Sequence, residues 1–483
     1  MGTRQRDVGH TGRVRTRPAA TRWVVPLLVL VATSATACTT AIAGQPASSG
    51  SVVSNPDPDQ PGGGDPSFIE NTDGGEIDQL AAAVLSDVRT YWTETFPATF
   101  DGQEWEDLTG GYYSVDTASA DAPAPPCVDK ASDVEGNAFY CPSEDVIAWD
   151  RAALLPVLKE RFGEAAVMLV LAHEMGHAVQ NRAGLTFEER RANPDQFPTI
   201  LVEAQADCYA GSFVRWVAEG NAHHLSVADD RLDSALESLI TFRDPLGTAQ
   251  TDEGAHGDSF DRISAFQDGY DSGAELCAGI SIDNRTFTQR GFTNAQDYEL
   301  GGNLPFDQLV QAITEDLDTY FEGVVTGQGG EWSSPSLANS EEEPACTDAD
   351  QGPVAFCAES DEIDLATGGE LPELHSDVGD YATGVMLTSR YAMAALDALG
   401  LPTDGADAQR RLVCLSGTYT GELLSRADGF TLSPGDLDEA IQMLLRYDYP
   451  GRDSAGDAID TGYDRVSVFR DGTLDGLEAC ELG

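Results

Sequence analysis

Apolar residues recur at helical spacing from Asp78 to Trp92, which predicts an amphipathic helix. Two short β-prone runs, Phe139–Cys141 and Val146–Trp149, flank Pro142-Ser143-Glu144-Asp145 and predict a hairpin. A helix is predicted over Glu164–Arg182, with Gly184 just past its end. Its first half, Ala165 to Ala172, is almost wholly apolar and must be buried on nearly every side. Another long helix fits Pro198–Glu219, with proline at its start and Gly220 at its end, and a third fits Asp230–Phe242. Residues 44–75, rich in Gly, Pro, Ser and Asp, lack periodicity and predict a flexible tether, with ordered structure from about Ile77.

Much of this pattern occurs twice. Ile77-Asp78-Gln79-Leu80 recurs as Phe306-Asp307-Gln308-Leu309, and Ala138-Phe139-Tyr140-Cys141 as Val354-Ala355-Phe356-Cys357. Val167-Met168-Leu169 recurs as Val385-Met386-Leu387, and the Cys208-Tyr209-Ala210-Gly211 run as Cys414-Leu415-Ser416-Gly417. Phe260-Asp261-Arg262 recurs as Tyr463-Asp464-Arg465, and each copy ends on a cysteine, Cys277 or Cys480. The expected fold is α+β, mainly helical with a small β-hairpin or sheet, tandemly duplicated. Its domains are 76–280 and 305–483, joined by a linker at 281–304.

Charge narrows the partners. The chain carries 82 acidic and 28 basic residues, a formal net charge of −54, so it repels phosphate backbones and no nucleic acid is expected. Arginines crowd the stretch from Arg4 to Arg22, and the apolar run Trp23–Ala32 that follows is too short for a comfortable membrane span. This predicts a signal peptide over 1–37. Ala35-Thr36-Ala37-Cys38 resembles a bacterial lipoprotein processing box, so residues 38–75 are expected to tether the protein to the outer face of the cell membrane through lipidated Cys38; plain cleavage after Ala37, with release, is the alternative. Of nine cysteines, eight then remain, an even number suited to disulfides outside the cytoplasm. A fold inherited twice repeats its pairing, which selects Cys127–Cys141, Cys208–Cys277, Cys346–Cys357 and Cys414–Cys480.

The candidate chemistry lies in His173-Glu174-Met175-Gly176-His177. On a helix, positions i and i+4 share a face, so both imidazoles reach one ion, while Glu174 is placed to take a proton from water beside it. Glu203 and Asp207, again i and i+4 on an apolar helix, supply a third metal ligand and a carboxylate for the far N–H of a ligand histidine. His256 lies in a glycine-rich loop; it is either an oxyanion donor or a loop histidine bonded to backbone.

These residues, with Phe139-Tyr140-Cys141-Pro142, Ala178-Val179-Gln180 after the motif, Glu203-Ala204-Gln205-Ala206-Asp207-Cys208 and His256-Gly257 ahead of Arg262, resemble the neutral zinc metallopeptidases of bacteria. The resemblance covers nearly all of 76–280. It implies a zincin-like fold, zinc as cofactor, Glu203 as third ligand and a peptide or protein substrate. Where that family often has another histidine, this chain has Ala178.

In the second copy Tyr391, Ala392 and Ala395 are expected opposite His173, Glu174 and His177, and Gln409, Val413 and Ile459 opposite Glu203, Asp207 and His256. That copy is therefore expected to be inactive. The reading is a lipid-anchored, exported zinc metallopeptidase; the alternatives are an envelope binding or scaffolding protein that keeps the fold without proteolysis, and a hydrolase of non-peptide amides.

Overall fold

The computed structural model describes residues 63–252, 255–346 and 349–482. The expected signal peptide, Cys38 with its lipid, and the tether as far as residue 62 lie outside the described residues. No helix among the described residues is long and apolar enough to cross a membrane.

The first half runs β1 (Ile69–Glu70), α1 (Glu76–Thr99), β2 (Gly111–Val115), β3 (Ala138–Cys141), β4 (Val146–Asp150), α2 (Leu154–Phe162), α3 (Glu164–Arg182), α4 (Phe187–Ala192), α5 (Thr199–Ala218), α6 (Asp229–Thr241), α7 (Ser259–Ser272) and α8 (Ala274–Ala278). α9 (Ala295–Leu300) lies in the expected linker. The second half continues with α10 (Phe306–Gly327), β5 (Ser336–Ser340), β6 (Val354–Cys357), β7 (Glu362–Ala366), α11 (Glu370–Asp377), α12 (Asp380–Ala398), α13 (Ala406–Ser425), α14 (Asp436–Arg446) and α15 (Gly462–Asp475).

The expected hairpin is present as β3 and β4, with Cys141 opposite Val146. It belongs to a larger sheet of order β1-β2-β4-β3, in which β1, β2 and β4 run parallel. Two of those strands escaped sequence reading, because parallel partners come from distant segments and leave no turn signal. The tether boundary at residue 75 also needs correction: Ile69 is buried in β1, and a two-residue strand has no periodicity to detect. The linker 281–304 is likewise built into the fold, since the Thr288 N–H donates to Asp261 at 2.8 Å inside the protein.

Several elements of the two halves correspond, although β1 and α4 have no counterpart among the described residues of the second. β5 and β7 are parallel, with β6 antiparallel on β7, matching β2, β4 and β3. Tyr91 donates to Ser212 from α1 to α5, and Tyr320 to Thr418 from α10 to α13. The disulfides join Cys127–Cys141, Cys208–Cys277, Cys346–Cys357 and Cys414–Cys480.

One register expected from sequence is wrong by two residues. Gly163 and Gly379 precede α3 and α12, and Gly184 and Gly400 follow them, all four at positive φ. Beyond the ends, Leu185 N–H bonds to Gln180 and Leu401 N–H to Leu396. Counted from these caps, His173, Glu174 and His177 correspond to Ser389, Arg390 and Met393, not to Tyr391, Ala392 and Ala395. A helix apolar on all sides matches itself at several offsets; only its caps pin the register.

The halves dock through reciprocal capping. Asp233 on α6 accepts the N–H groups of Gly462 and Tyr463 at the start of α15, both at 2.7 Å. Asp438 on α14 accepts the N–H of Ser259 at the start of α7, also at 2.7 Å. Each carboxylate thus satisfies orphan donors of the other half's helix and meets its positive dipole end.

Within a half, α5 and α7 touch backbone to backbone. A Cβ on Gly211 would fall 2.0 Å from the Phe266 carbonyl oxygen, and one on Gly269 1.8 Å from that of Cys208. Gly211→Ala would gain about 1 kcal/mol of helix propensity, but neither backbone can yield locally, and overpacking costs about 1–3 kcal/mol or more. The variant should melt below wild type in scanning calorimetry; an unchanged or raised melting temperature would contradict this packing.

Candidate metal centre

α3 presents His173 and His177 on one face, ring centroids 4.8 Å apart. Between them Gly176 lies against α5, where a Cβ would come within 3.0 Å of the Ala206 backbone. That closeness brings Glu203, one turn earlier on α5, over the histidines. Its Oε2 stands 3.2 Å from His173 Nε2 and 3.4 Å from His177 Nε2. All three side chains are largely buried.

The other ring nitrogens are already engaged. His173 Nδ1 lies 2.7 Å from Asp207 Oδ1, and a carboxylate can only accept, so the proton sits on Nδ1. His177 Nδ1 lies 2.9 Å from Gln180 Oε1. The Gln180 amide nitrogen donates to the Val202 carbonyl at 2.6 Å and to Gln205 at 3.0 Å, which turns its oxygen toward His177. Both Nε2 atoms are thereby aimed at one point. Two imidazole nitrogens and a carboxylate oxygen within 4.8 Å of one another are the donor set zinc prefers, with room for a further ligand.

Asp207 is fully buried and doubly held. Arg262, reaching across from α7, donates Nε to Oδ2 and Nη2 to Oδ1, both at 2.9 Å, and its Nη1 donates to the Phe242 carbonyl. Burial works against the Asp207 anion, but Arg262 and His173 outweigh it and bring the carboxyl down to about 2. Burial opposes the His173 cation too, yet Asp207, Glu203 and Glu174 lift it to about 10 without metal.

Glu174, next to His173, faces the same space. Burial raises its carboxyl above the ordinary range, partly offset by the histidines and by the Tyr140 backbone N–H that bonds to it. Tyr140 sits on β3, the edge strand of the sheet. His173, Glu174, His177 and Glu203 line a cavity of about 400 Å³, walled by β3 and by Leu169, Leu239 and Phe242.

His256 also lines this cavity. Its partner is not backbone but the Asp244 carboxylate, 3.2 Å from Nδ1, which also accepts the His256 and Gly257 N–H groups. The hydrogen bond to Asp244 raises the His256 pKa, against burial, and the side chain is about half exposed.

Residues 8–278, more than half of the chain, match the family described as "Putative neutral zinc metallopeptidase". The chain belongs to this family. Metallopeptidase-family membership fits the donor set, because the matched span ends one residue past Cys277 and includes every residue of the cavity named above. Among curated relatives, "Uncharacterized protein YpfJ" of Escherichia coli K12 is 29% identical over 150 residues, covering 28% of this chain and 50% of that protein. "Uncharacterized protein Rv2575" of Mycobacterium tuberculosis is 30% identical over 152 residues, covering 28% and 52% respectively. The chain thus spans about half the length of the curated relatives it matches. No solved structure matches it.

Sequence reasoning left two supports without a role: Gln180 on His177 and Arg262 on Asp207. The first had a local signal, since position i+3 on α3 shares the face of His177. The second had none, because the packing of α7 on α5 sets its reach.

Since His173 holds its proton to about pH 10 in the metal-free pocket, metal entering at pH 7 must expel it. Zinc affinity should therefore rise about tenfold per pH unit from pH 7 to 9 for each proton displaced. Titration calorimetry in two buffers of different ionisation enthalpy should report at least one proton released per zinc; a heat that does not depend on the buffer would rule this out.

Proposed function

We propose that this protein hydrolyses peptide bonds of peptides or proteins with zinc held by His173, His177 and Glu203, and with Glu174 as general base. The observation that carries the reading is the convergence of those donors on one point, with an adjacent buried carboxylate of raised pKa, beside an edge strand. Zinc in such a set supplies Lewis acidity, easing deprotonation of water and polarising a carbonyl.

The chain's own groups do the rest. A carboxyl whose pKa is raised by burial suits Glu174 to accept a proton from water and return it to the leaving amine. Asp207 and Gln180 hold the two imidazoles in the tautomer that points Nε2 at the ligand position, and Arg262 keeps Asp207 charged. His256, its Nδ1 occupied by Asp244, has Nε2 left to donate to the developing oxyanion. The free side of β3 offers N–H and C=O groups to an extended substrate, and Leu169, Leu239 and Phe242 give an apolar side chain somewhere to go.

The second half is read as an inactive copy of the first. With Ser389, Arg390 and Met393 at the motif positions, no zinc ligand set forms there. Ser389 donates to the Pro450 carbonyl, and Arg390 fills the space with hydrogen bonds to the backbone at Tyr449 and Arg452. A binding protein without proteolysis would need neither a metal donor set nor a buried base beside it, so hydrolysis is the better reading. Export and anchoring through lipidated Cys38 complete the proposal, and mass spectrometry of the mature N-terminus decides them: an unmodified Cys38 excludes the anchor.

Glu174→Gln should keep one zinc per chain and the wild-type melting temperature while losing about 100- to 10,000-fold in peptide hydrolysis. Zinc by elemental analysis and turnover on a peptide library test both halves of the statement. Undiminished turnover, or two tightly held zinc ions per chain, would defeat it.

A further inference from the structure

Three acids meet inside the second half. Asp380 opens α12, and Asp436 and Glu439 lie on the first turns of α14; one oxygen from each falls within 4.8 Å of the others. Asp380 is 3% exposed, Asp436 5% and Glu439 6%. Each gives an oxygen to a backbone N–H: Asp380 Oδ2 to Leu304 at 2.6 Å, Asp436 Oδ2 to Ser433 at 2.8 Å and Glu439 Oε2 to Tyr381 at 2.8 Å. The second oxygens of Asp380 and Asp436 are buried and meet no N–H or hydroxyl donor; the Asp380 carboxyl can share a proton only with Glu439.

Helix capping accounts for one such acid at the start of α12, not for three. Asp297 adds further negative charge nearby. The cation near enough to act on Asp436 is Arg290, yet its guanidinium donates to the Leu432 and Leu424 carbonyls instead. Burial pushes Asp380 up to about 6, against its hydrogen bonds to Leu304 and Glu439, while burial and then the Asp380 charge hold Asp436 and Glu439 well above the ordinary carboxyl range.

The first half shows what an ordinary version of this corner looks like. Counted from the helix caps, Asp380 corresponds to Glu164, which pairs with Lys159 at 3.4 Å; counted from the reciprocal Asp233 and Asp438, Asp436 and Glu439 correspond to Arg231 and Ser234. Lys159 itself corresponds to His375, which bonds to the Leu304 carbonyl and Thr383. One acid with basic neighbours in sequence has become three acids without them. Gly379, a glycine like Gly163 at the matching position, leaves room for the third acid, because a Cβ there would fall 1.9–2.3 Å from the Glu439 carboxylate atoms.

We propose that Asp380, Asp436 and Glu439 bind a calcium ion that clamps α14 to the start of α12 and to the linker at Leu304. Oxygen-only donors favour a hard cation over zinc, and carboxylates on separate elements suit the flexible, high-coordination shell of calcium better than the strict octahedron of magnesium. The site lies apart from the zinc donors and shares no residue with them. It is not remote in effect: Asp438, between the two α14 ligands, caps α7 and pairs with Arg243 at 3.2 Å. Calcium would thus hold the helix through which the second half grips the first.

The test uses the full chain, zinc-loaded, in buffer freed of calcium and then brought to about 1 mM calcium, the range of extracellular calcium modules. Wild type should take up one calcium per chain by elemental analysis, and its melting temperature should rise by about 3 °C or more. Asp436→Asn and Glu439→Gln should each take up none, show no calcium-dependent shift, and melt no lower than wild type in calcium-free buffer, because each amide keeps the backbone hydrogen bond and cannot ionise beside the other acids. A wild type that binds no calcium and melts at the same temperature in both buffers would show that the acids simply stay protonated and share protons, and would overturn the proposal. Calcium retained equally by both variants would overturn it as well.

Discussion

Asp207 is the side chain on which the first half turns. It is buried, charged and satisfied on both oxygens, by His173 on one side and by Arg262 on the other. An ion in such a place is stable only while its partners hold their geometry, and losing either one strands a charge in the interior. That penalty ties three helices together: α3 through His173, α5 through Asp207 itself and α7 through Arg262. The close contact of α5 and α7 at Gly211 and Gly269, and the Cys208–Cys277 bridge, keep that triangle from loosening. The orientation of His173 is thus a consequence of helix packing rather than of a loop.

The same scaffold without the chemistry recurs in the second half. Gly417 and Gly472 approach the Phe469 and Cys414 carbonyl oxygens as Gly211 and Gly269 approach theirs, and the disulfides repeat. At the place of Asp207 stands Val413, and Arg465, corresponding to Arg262, turns to the carbonyls of Leu444 and Ile459. A guanidinium that has lost its carboxylate still needs acceptors, and backbone oxygens provide them. Helix packing and the metal donor set therefore make separable demands on this fold.

Reciprocity governs how the halves meet. Asp233 caps α15 and Asp438 caps α7, so each half finishes a helix of the other. Further contacts follow the same seam: Tyr463 donates to Asp271, and Gln267 to the Tyr463 carbonyl. In a chain of net charge −54, acids at an internal seam would ordinarily repel. Here they are spent on helix N-termini, where backbone N–H groups supply the positive end without a basic side chain.

By itself the sequence determined the local facts: the helices at Glu164–Arg182 and Thr199–Ala218, the β3–β4 hairpin, and the i, i+4 placing of His173 with His177 and of Glu203 with Asp207. These depend on periodicity, caps and turns, which act over a few residues. It also carried the twofold pattern from which the cysteine pairing was read. What only the tertiary structure decided depends on how elements cross. The parallel strands β1 and β2 needed partners far along the chain. The two-residue register of α12 needed its glycine caps seen in place, because its apolar faces are interchangeable. Arg262 on Asp207, Asp244 on His256 and the three acids around Asp380 are pairings across 12 to 59 positions or more, set by helix packing that no local spacing encodes.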